Sequence, residues 1–150
     1  MANMFGRVGG FDAPDGPLLP SLLDEGGQVA DVGVDIVEIG RVRAAVERHG
    51  EGFRRRVYTE IEWRQCGRSF SSLAGRFAAK EAVMKALGVG GMKFRDIEIV
   101  RTPSGCPEVR LFGRMQARAA RLGVERVVVT ISHSRDNAVA VALAETGPPS

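Results

Sequence analysis

Arg76-Phe77-Ala78-Ala79-Lys80-Glu81-Ala82-Val83-Met84-Lys85 is the stretch on which the reading of this 150-residue chain turns. It lies inside a longer pattern, Ser71 to Leu87, that predicts the main helix. Leu73, Phe77, Met84 and Leu87 share one stripe at helical spacing, Ser71 or Ser72 supplies an N-cap, and Gly88 ends the run. Phe77, Glu81 and Lys85 fall at i, i+4 and i+8 and so share a face. Arg76 and Lys80 form a second i, i+4 pair beside it. An alanine-rich helix with a surface Glu–Lys pair gives this pattern. So does a carboxylate set among cations where a divalent cation and phosphate oxygens meet.

Before this helix, Val32-Gly33-Val34-Asp35-Ile36-Val37-Glu38-Ile39 is β-branched and bounded by Gly40, which predicts a strand. Val42, Ala45 and Val46 then sit at helical spacing, and that segment stops at His49-Gly50. Phe53 to Val57 is a short basic segment. Thr59 followed by Glu62 makes a capping-box pattern for a helix through about Cys66. After the main helix, Phe94 to Val100 alternates as a strand. Pro103-Ser104-Gly105 is a turn, and Glu108 to Phe112 completes a hairpin. Gly113 to Leu122 is helical and closed by Gly123, and two strands follow, Arg126 to Ser132 and Ala138 to Leu143. This order predicts an α+β domain over residues 31–145. Its sheet is mainly antiparallel and packed with helices, one of them long and central, without regular βαβ winding. Residues 1–30, with six Gly and three Pro, read as a flexible tail, and residues 146–150 as a C-terminal tail.

The length suits one domain with a real core, and 44% hydrophobic with 26% charged residues excludes collagen-like and wholly disordered classes. No apolar run approaches the ~20 residues of a membrane span. The net charge of +3 is uneven: residues 1–30 carry −3, and Arg41 to Arg68 holds eight arginines against four glutamates. A basic surface attracts acidic partners, whether nucleic acid, anionic lipid, phosphorylated small molecules or an acidic protein. Cys66 and Cys106 form no CxxC, and with His49 and His133 they match no zinc spacing. The N-terminus lacks the apolar core of a signal peptide, so a cytoplasmic location is the default expectation.

Asp35 stands in an otherwise apolar strand, where a carboxylate must be hydrogen-bonded, paired or bound to a cation. Val32, Val34 and Ile36 face one way and Gly33, Asp35 and Val37 the other. Gly88-Val89-Gly90-Gly91 is a helix stop and not a P-loop. Ser132-His133 has no nucleophile elbow around it, so a hydrolase reading fails, while His133 at a strand end can still meet a phosphate.

Taken together, Gly33-Val34-Asp35, Arg76-Phe77-Ala78-Ala79-Lys80-Glu81-Ala82-x-x-Lys85-Ala86 and Ile131-Ser132-His133 resemble the holo-[acyl-carrier-protein] synthase family of small 4′-phosphopantetheinyl transferases. The Asp96-Ile97-Glu98-Ile99…Gly105-Cys106-Pro107 hairpin fits as well, and the resemblance spans about Val32 to Ala144. It implies transfer of the phosphopantetheine arm of coenzyme A to a serine of apo acyl carrier protein, with release of adenosine 3′,5′-bisphosphate, in support of fatty acid biosynthesis. It implies Mg²⁺ held by Asp35 and Glu81, with Lys85 beside the pyrophosphate, so that Asp35, Glu81 and Lys85 form the catalytic set. It places Arg76, Lys80 and His133 near the coenzyme A phosphates and Gly105 and Pro107 at the turn near the adenine. Arg41 and Arg48 are implied to meet the acidic carrier protein. The resemblance further implies a homotrimer with active sites between protomers, and neither nucleic acid nor membrane as a partner.

Two features depart from the family pattern. About thirty residues precede the first strand, and they are expected to be dispensable. Ala78 stands where broader-specificity relatives carry a small hydroxyl or thiol residue, which favours the fatty-acid type over polyketide or peptide carriers. A basic nucleic-acid-binding module is the alternative from another class. With 6% aromatics and no aromatic–basic interleaving, it leaves Asp35 and Glu81 without a role.

Overall fold

The computed structural model describes residues 28–147; most of the N-terminal tail and the last residues of the C-terminal tail lie outside the described residues. The elements are β1 (Gln28–Glu38), α1 (Ile39–His49), α2 (Glu51–Val57), α3 (Glu60–Cys66), α4 (Phe70–Ala86), a single 3-10 turn (Phe94–Asp96), β2 (Ile97–Arg101), β3 (Pro107–Leu111), α5 (Gly113–Arg121), β4 (Val124–His133) and β5 (Asn137–Thr146). One antiparallel sheet has the order β1-β5-β4, and β2-β3 form a separate hairpin. The α+β reading and the long central helix hold.

Several boundaries move for physical reasons. β1 begins at Gln28 and β5 runs on to Thr146, because the two strands pair from Gln28↔Thr146 to Glu38↔Asn137. Ile39 and Gly40 leave the strand and start α1, where Ile39 is buried and its N–H donates to Asp136 O at 2.9 Å. The basic segment before Val57 is the short helix α2. Ser69, rather than Ser71 or Ser72, caps α4 by accepting from Ser72 N at 3.2 Å. Phe94 to Asp96 turns as a 3-10 helix before the hairpin strand begins. The capping box is present as read: Thr59 Oγ1 accepts from Glu62 N, and Glu62 Oε2 accepts from Thr59 N at 2.7 Å.

Helix α4 lies across one face of the three-stranded sheet and packs on all three strands. Its small residues make this possible, since Ala78, Ala79, Ala82 and Ala86 are buried against Ala140, Ala142 and Ala144 of β5. The approach is closest at Gly33. A Cβ there would stand 1.9 Å from Ala82 O and 2.7 Å from Ala86 N, both backbone atoms that cannot step aside. Gly33→Ala is therefore expected to destabilise the fold by about 3 kcal/mol or more, the upper end of overpacking costs. A thermal melt within a degree of the unaltered protein would contradict this close packing.

Among the described residues no helix packs on the other face of the sheet. Val32, Val34 and Ile36 are exposed by 51%, 55% and 66%. In register beside them stand the half-buried Leu143, Val141 and Val139 of β5. The apolar triplet of β1 thus points outward, and Gly33, Asp35 and Val37 point toward α4. Among the described residues no helix is long and apolar enough to cross a membrane.

Candidate active site

The faces of α4 decide where its functional side chains go. Glu81 and Lys85, one turn apart, look over the edge strand β1. Lys85 Nζ donates to Asp35 Oδ1 at 3.0 Å and to Val34 O at 3.0 Å. Asp35 is largely buried, with 17% of its side chain exposed, whereas Lys85 remains 53% exposed. Glu81 takes no hydrogen bond or ion pair from any other described residue. Burial, and then the Asp35 charge, push its carboxyl above the ordinary glutamate range, with Lys85 opposing. Two carboxylates facing one another, one of them without a donor, make a site that favours a cation.

These residues stand at the mouth of a cavity of about 750 Å³. Val42, Phe53 and Phe77 form an apolar part of its lining, and Glu38, Arg41 and Asn137 line it as well. Phe77 stacks on Phe94 at 5.1 Å between ring centroids, which fixes that apolar part. Arg41 and Arg48 are both exposed on α1, and seven residues apart they lie on one face of the helix.

Arg76, Gly105, Pro107 and His133 gather elsewhere. They line a second cavity, of about 240 Å³, together with Ser71, Ser72 and Arg101. Arg76 is 6% exposed, and its Nε is buried without a hydrogen-bond partner. A largely buried arginine with an unpaired Nε, beside serines and a histidine, fits an anion such as a phosphate. Gly105 has a φ of 88°, which a side chain would resist, so the turn's backbone stays open there.

The two cavities lie on opposite flanks of α4. Asp35 pairs with Ala140, which pairs in turn with Ile131, so the β1 and β4 ends of the site are two strand spacings apart, about 10 Å. One chain therefore does not bring Asp35, Glu81 and Lys85 together with His133.

Lys80 does not reach the coenzyme A phosphates, where the resemblance places it, because its side chain is fully buried. Its Nζ donates to Val57 O, to Glu62 Oε2 at 2.8 Å and to Phe94 O at 3.1 Å. All three donors of the ammonium are used inside the protein, so none is left for a substrate. Burial lowers the Lys80 pKa, with Glu62 opposing. Conversely, the sequence assigns Arg101 no site role and Ser71 and Ser72 only a capping one, yet all three line the second cavity. The one signal for Arg101 is its place as the last cation before the Pro103-Ser104-Gly105 turn.

Among the described residues no group of three or more His, Cys, Asp or Glu side chains could hold a metal. Asp35 and Glu81 offer two hard oxygen ligands, the number that suits a cation completed by water and phosphate oxygens. Cys66 is buried, Cys106 is exposed, and both are free thiols.

Known proteins resemble this chain in sequence and in fold. The holo-[acyl-carrier-protein] synthase of Herpetosiphon aurantiacus is 47% identical over 117 residues, covering 72% of this chain and 92% of its own length. The crystal structure of Helicobacter pylori holo-[acyl-carrier-protein] synthase in complex with coenzyme A superposes with a TM-score of 0.69 at 34% identity, covering 75% of this chain and 98% of that one. The Neisseria meningitidis holo-[acyl-carrier-protein] synthase structure gives a TM-score of 0.71 at 32% identity, covering 79% of this chain and 100% of that one. Residues 31–143 match the family model described as the 4′-phosphopantetheinyl transferase superfamily, and the chain belongs to that superfamily.

Proposed function

We propose that this protein transfers the 4′-phosphopantetheine arm of coenzyme A to a serine hydroxyl of an apo acyl carrier protein, in the cytoplasm and in support of fatty acid biosynthesis. The serine oxygen forms a bond to the pantetheine-side phosphorus of the pyrophosphate. The bond from that phosphorus to the bridging oxygen breaks, adenosine 3′,5′-bisphosphate departs, and the serine hydroxyl proton passes to solvent. The observation that carries this reading is the meeting of Asp35, Glu81 and Lys85 at one cavity mouth.

Asp35 and Glu81 would hold Mg²⁺, which when bound neutralises the pyrophosphate and the departing bisphosphate. Lys85, tethered through Asp35 and Val34 O, supplies a positive charge beside the reacting phosphate. Arg76 and His133, with Arg101, suit the phosphates of the nucleotide end, and the open backbone at Gly105 and Pro107 suits its base. Arg41 and Arg48 steer the acidic carrier protein toward the first cavity.

The working unit is a homotrimer. Two observations support this reading: the apolar sheet face of Val32, Val34 and Ile36, which no helix among the described residues covers, and the split of the binding residues between two flanks of α4. An exposed apolar patch of this kind marks an association surface. In such a trimer one chain's Asp35 flank would complete a site with another chain's His133 flank.

The test is intact-mass spectrometry of an apo acyl carrier protein incubated with the protein, coenzyme A and Mg²⁺. The expected result is a gain of one phosphopantetheine arm, abolished by EDTA. Failure of the protein to bind coenzyme A at all would overturn the reading.

A further inference from the structure

Helix α3 spends two polar side chains on the outer edge of the hairpin. Glu62 Oε1 accepts from Ile99 N at 2.8 Å. One turn on, Gln65 Oε1 accepts from Arg101 N at 2.8 Å, and Gln65 Nε2 donates to Arg101 O at 3.1 Å. On its inner edge β2 pairs with β3, with Ile99 opposite Val109 and Arg101 opposite Pro107. The N–H groups of Ile99 and Arg101 therefore point away from β3, and the two side chains of α3 stand where a third strand would bond. Pro107, which has no N–H, sits at a pairing that needs none.

This edge belongs to the second cavity. Arg101 ends β2 and lines that cavity from the hairpin side, followed by the turn that carries Gly105 and Pro107. Arg76 lines it from α4. The same Glu62 carboxylate that holds Ile99 also receives Lys80, one helical turn beyond Arg76. Through Glu62 and Gln65, helix α3 thus joins the hairpin wall of the cavity to its helix wall. The Glu62 end of this link is buried and carries much of the fold. The Gln65 end is exposed and covers no core, so its two bonds are separable from folding.

We infer that Gln65 is a positioning residue for the nucleotide end of the substrate: by bracketing the backbone of Arg101, it holds Arg101 and the Gly105 turn at the spacing from Arg76 that the coenzyme A phosphates require. This rests on the proposed function, which puts the nucleotide in the second cavity. A purely structural role for an exposed glutamine would change stability slightly and substrate affinity not at all. A positioning role loads the effect onto coenzyme A, because a small misplacement of a binding group weakens the interaction that depends on it.

The experiment compares the full chain with Gln65→Ala and Gln65→Glu, the latter keeping the acceptor for Arg101 N. Coenzyme A binding is read by isothermal titration calorimetry, kinetics by carrier-protein modification, and folding by thermal melt. Gln65→Ala is expected to weaken coenzyme A binding and raise its KM about tenfold, with Gln65→Glu intermediate. kcat and the KM for carrier protein are expected to stay within about twofold. If the unaltered protein binds coenzyme A and Gln65→Ala binds it equally well, the positioning role is overturned and the proposed function stands. The role is equally overturned if Gln65→Ala lowers kcat and affinity for both substrates together with the melting temperature. If the unaltered protein shows no coenzyme A binding, the proposed function itself falls, and the positioning role with it.

Discussion

Glu81→Gln and Asp35→Asn are each expected to lower kcat/KM for carrier-protein modification at least about a hundredfold, a loss of the size seen when an electrostatic element of a phosphoryl-transfer site is removed. Both substitutions keep the shape of the side chain and delete its charge. Glu81 has no donor among the described residues and stands where burial and Asp35 already raise its carboxyl pKa. Its negative charge is therefore a liability to the folded chain by itself. Replacing it should leave the melting temperature unchanged or slightly raised in EDTA, while activity collapses, the signature of a residue kept for function at some cost to stability. The Asp35 variant also weakens the hold on Lys85, because an Asn Oδ1 can still accept from Nζ but the ion pair is lost. Because both carboxylates act on one bound group, the double variant should fall little below either single one. Steady-state kinetics across a Mg²⁺ titration reads all of this. A single variant that stays within tenfold of the unaltered protein at saturating Mg²⁺ would remove that carboxylate from the site.

The alternation of β1 was legible, and so was the isolation of Asp35 within it. Which face of that strand packs inside its own chain was not. By hydrophobicity, Val32, Val34 and Ile36 belong in a core, yet they are exposed, and the glycine–aspartate face is the one against α4. The pattern of a strand records burial wherever it occurs, and an association surface writes the same residues as a domain core. Helical spacing likewise grouped Arg76 with Lys80, since both project from one side of α4. What separates them is tertiary: Glu62, already fixed by the capping box with Thr59, draws Lys80 into a buried pair. The capping box was visible from Thr59 and Glu62, and the second use of its carboxylate was not, because Lys80 lies 18 residues away in sequence. The cap at Ser69 was missed for a local reason: Ser69, Ser71 and Ser72 all qualify by type, and only the path of the chain into α4 selects among them. Arg101 escaped notice since a lone arginine at a strand end carries no pattern, and its significance comes from facing Arg76 and His133 across a fold-dependent gap.

Two inactive variants are expected to restore one another when they share an assembly. The first is Glu81→Ala, which disables the β1 flank of α4. The second is Arg101→Ala combined with His133→Ala; both residues are exposed, and their loss disables the β4 flank without opening the core. If each active site joins the first flank of one chain to the second flank of its neighbour, a mixed ring contains sites built from two undamaged halves. In a cyclic trimer each mixed ring, whether two-to-one or one-to-two, holds one such site in three, so the mixed assemblies should recover to about a third of the activity of the unaltered protein. Each parent alone should remain below about one per cent, given a hundredfold loss per flank. Co-expression with two different affinity tags, followed by sequential purification, isolates the mixed assemblies on which the rate is measured. Complementation is a sharper criterion than size, because it requires both that the apolar face of β1 brings chains together and that the two cavities of different chains complete one site. Mixed assemblies that are recovered but no more active than their parents would place the whole site within a single chain. The roughly 10 Å between Asp35 and β4 would then have to be spanned by the substrate itself.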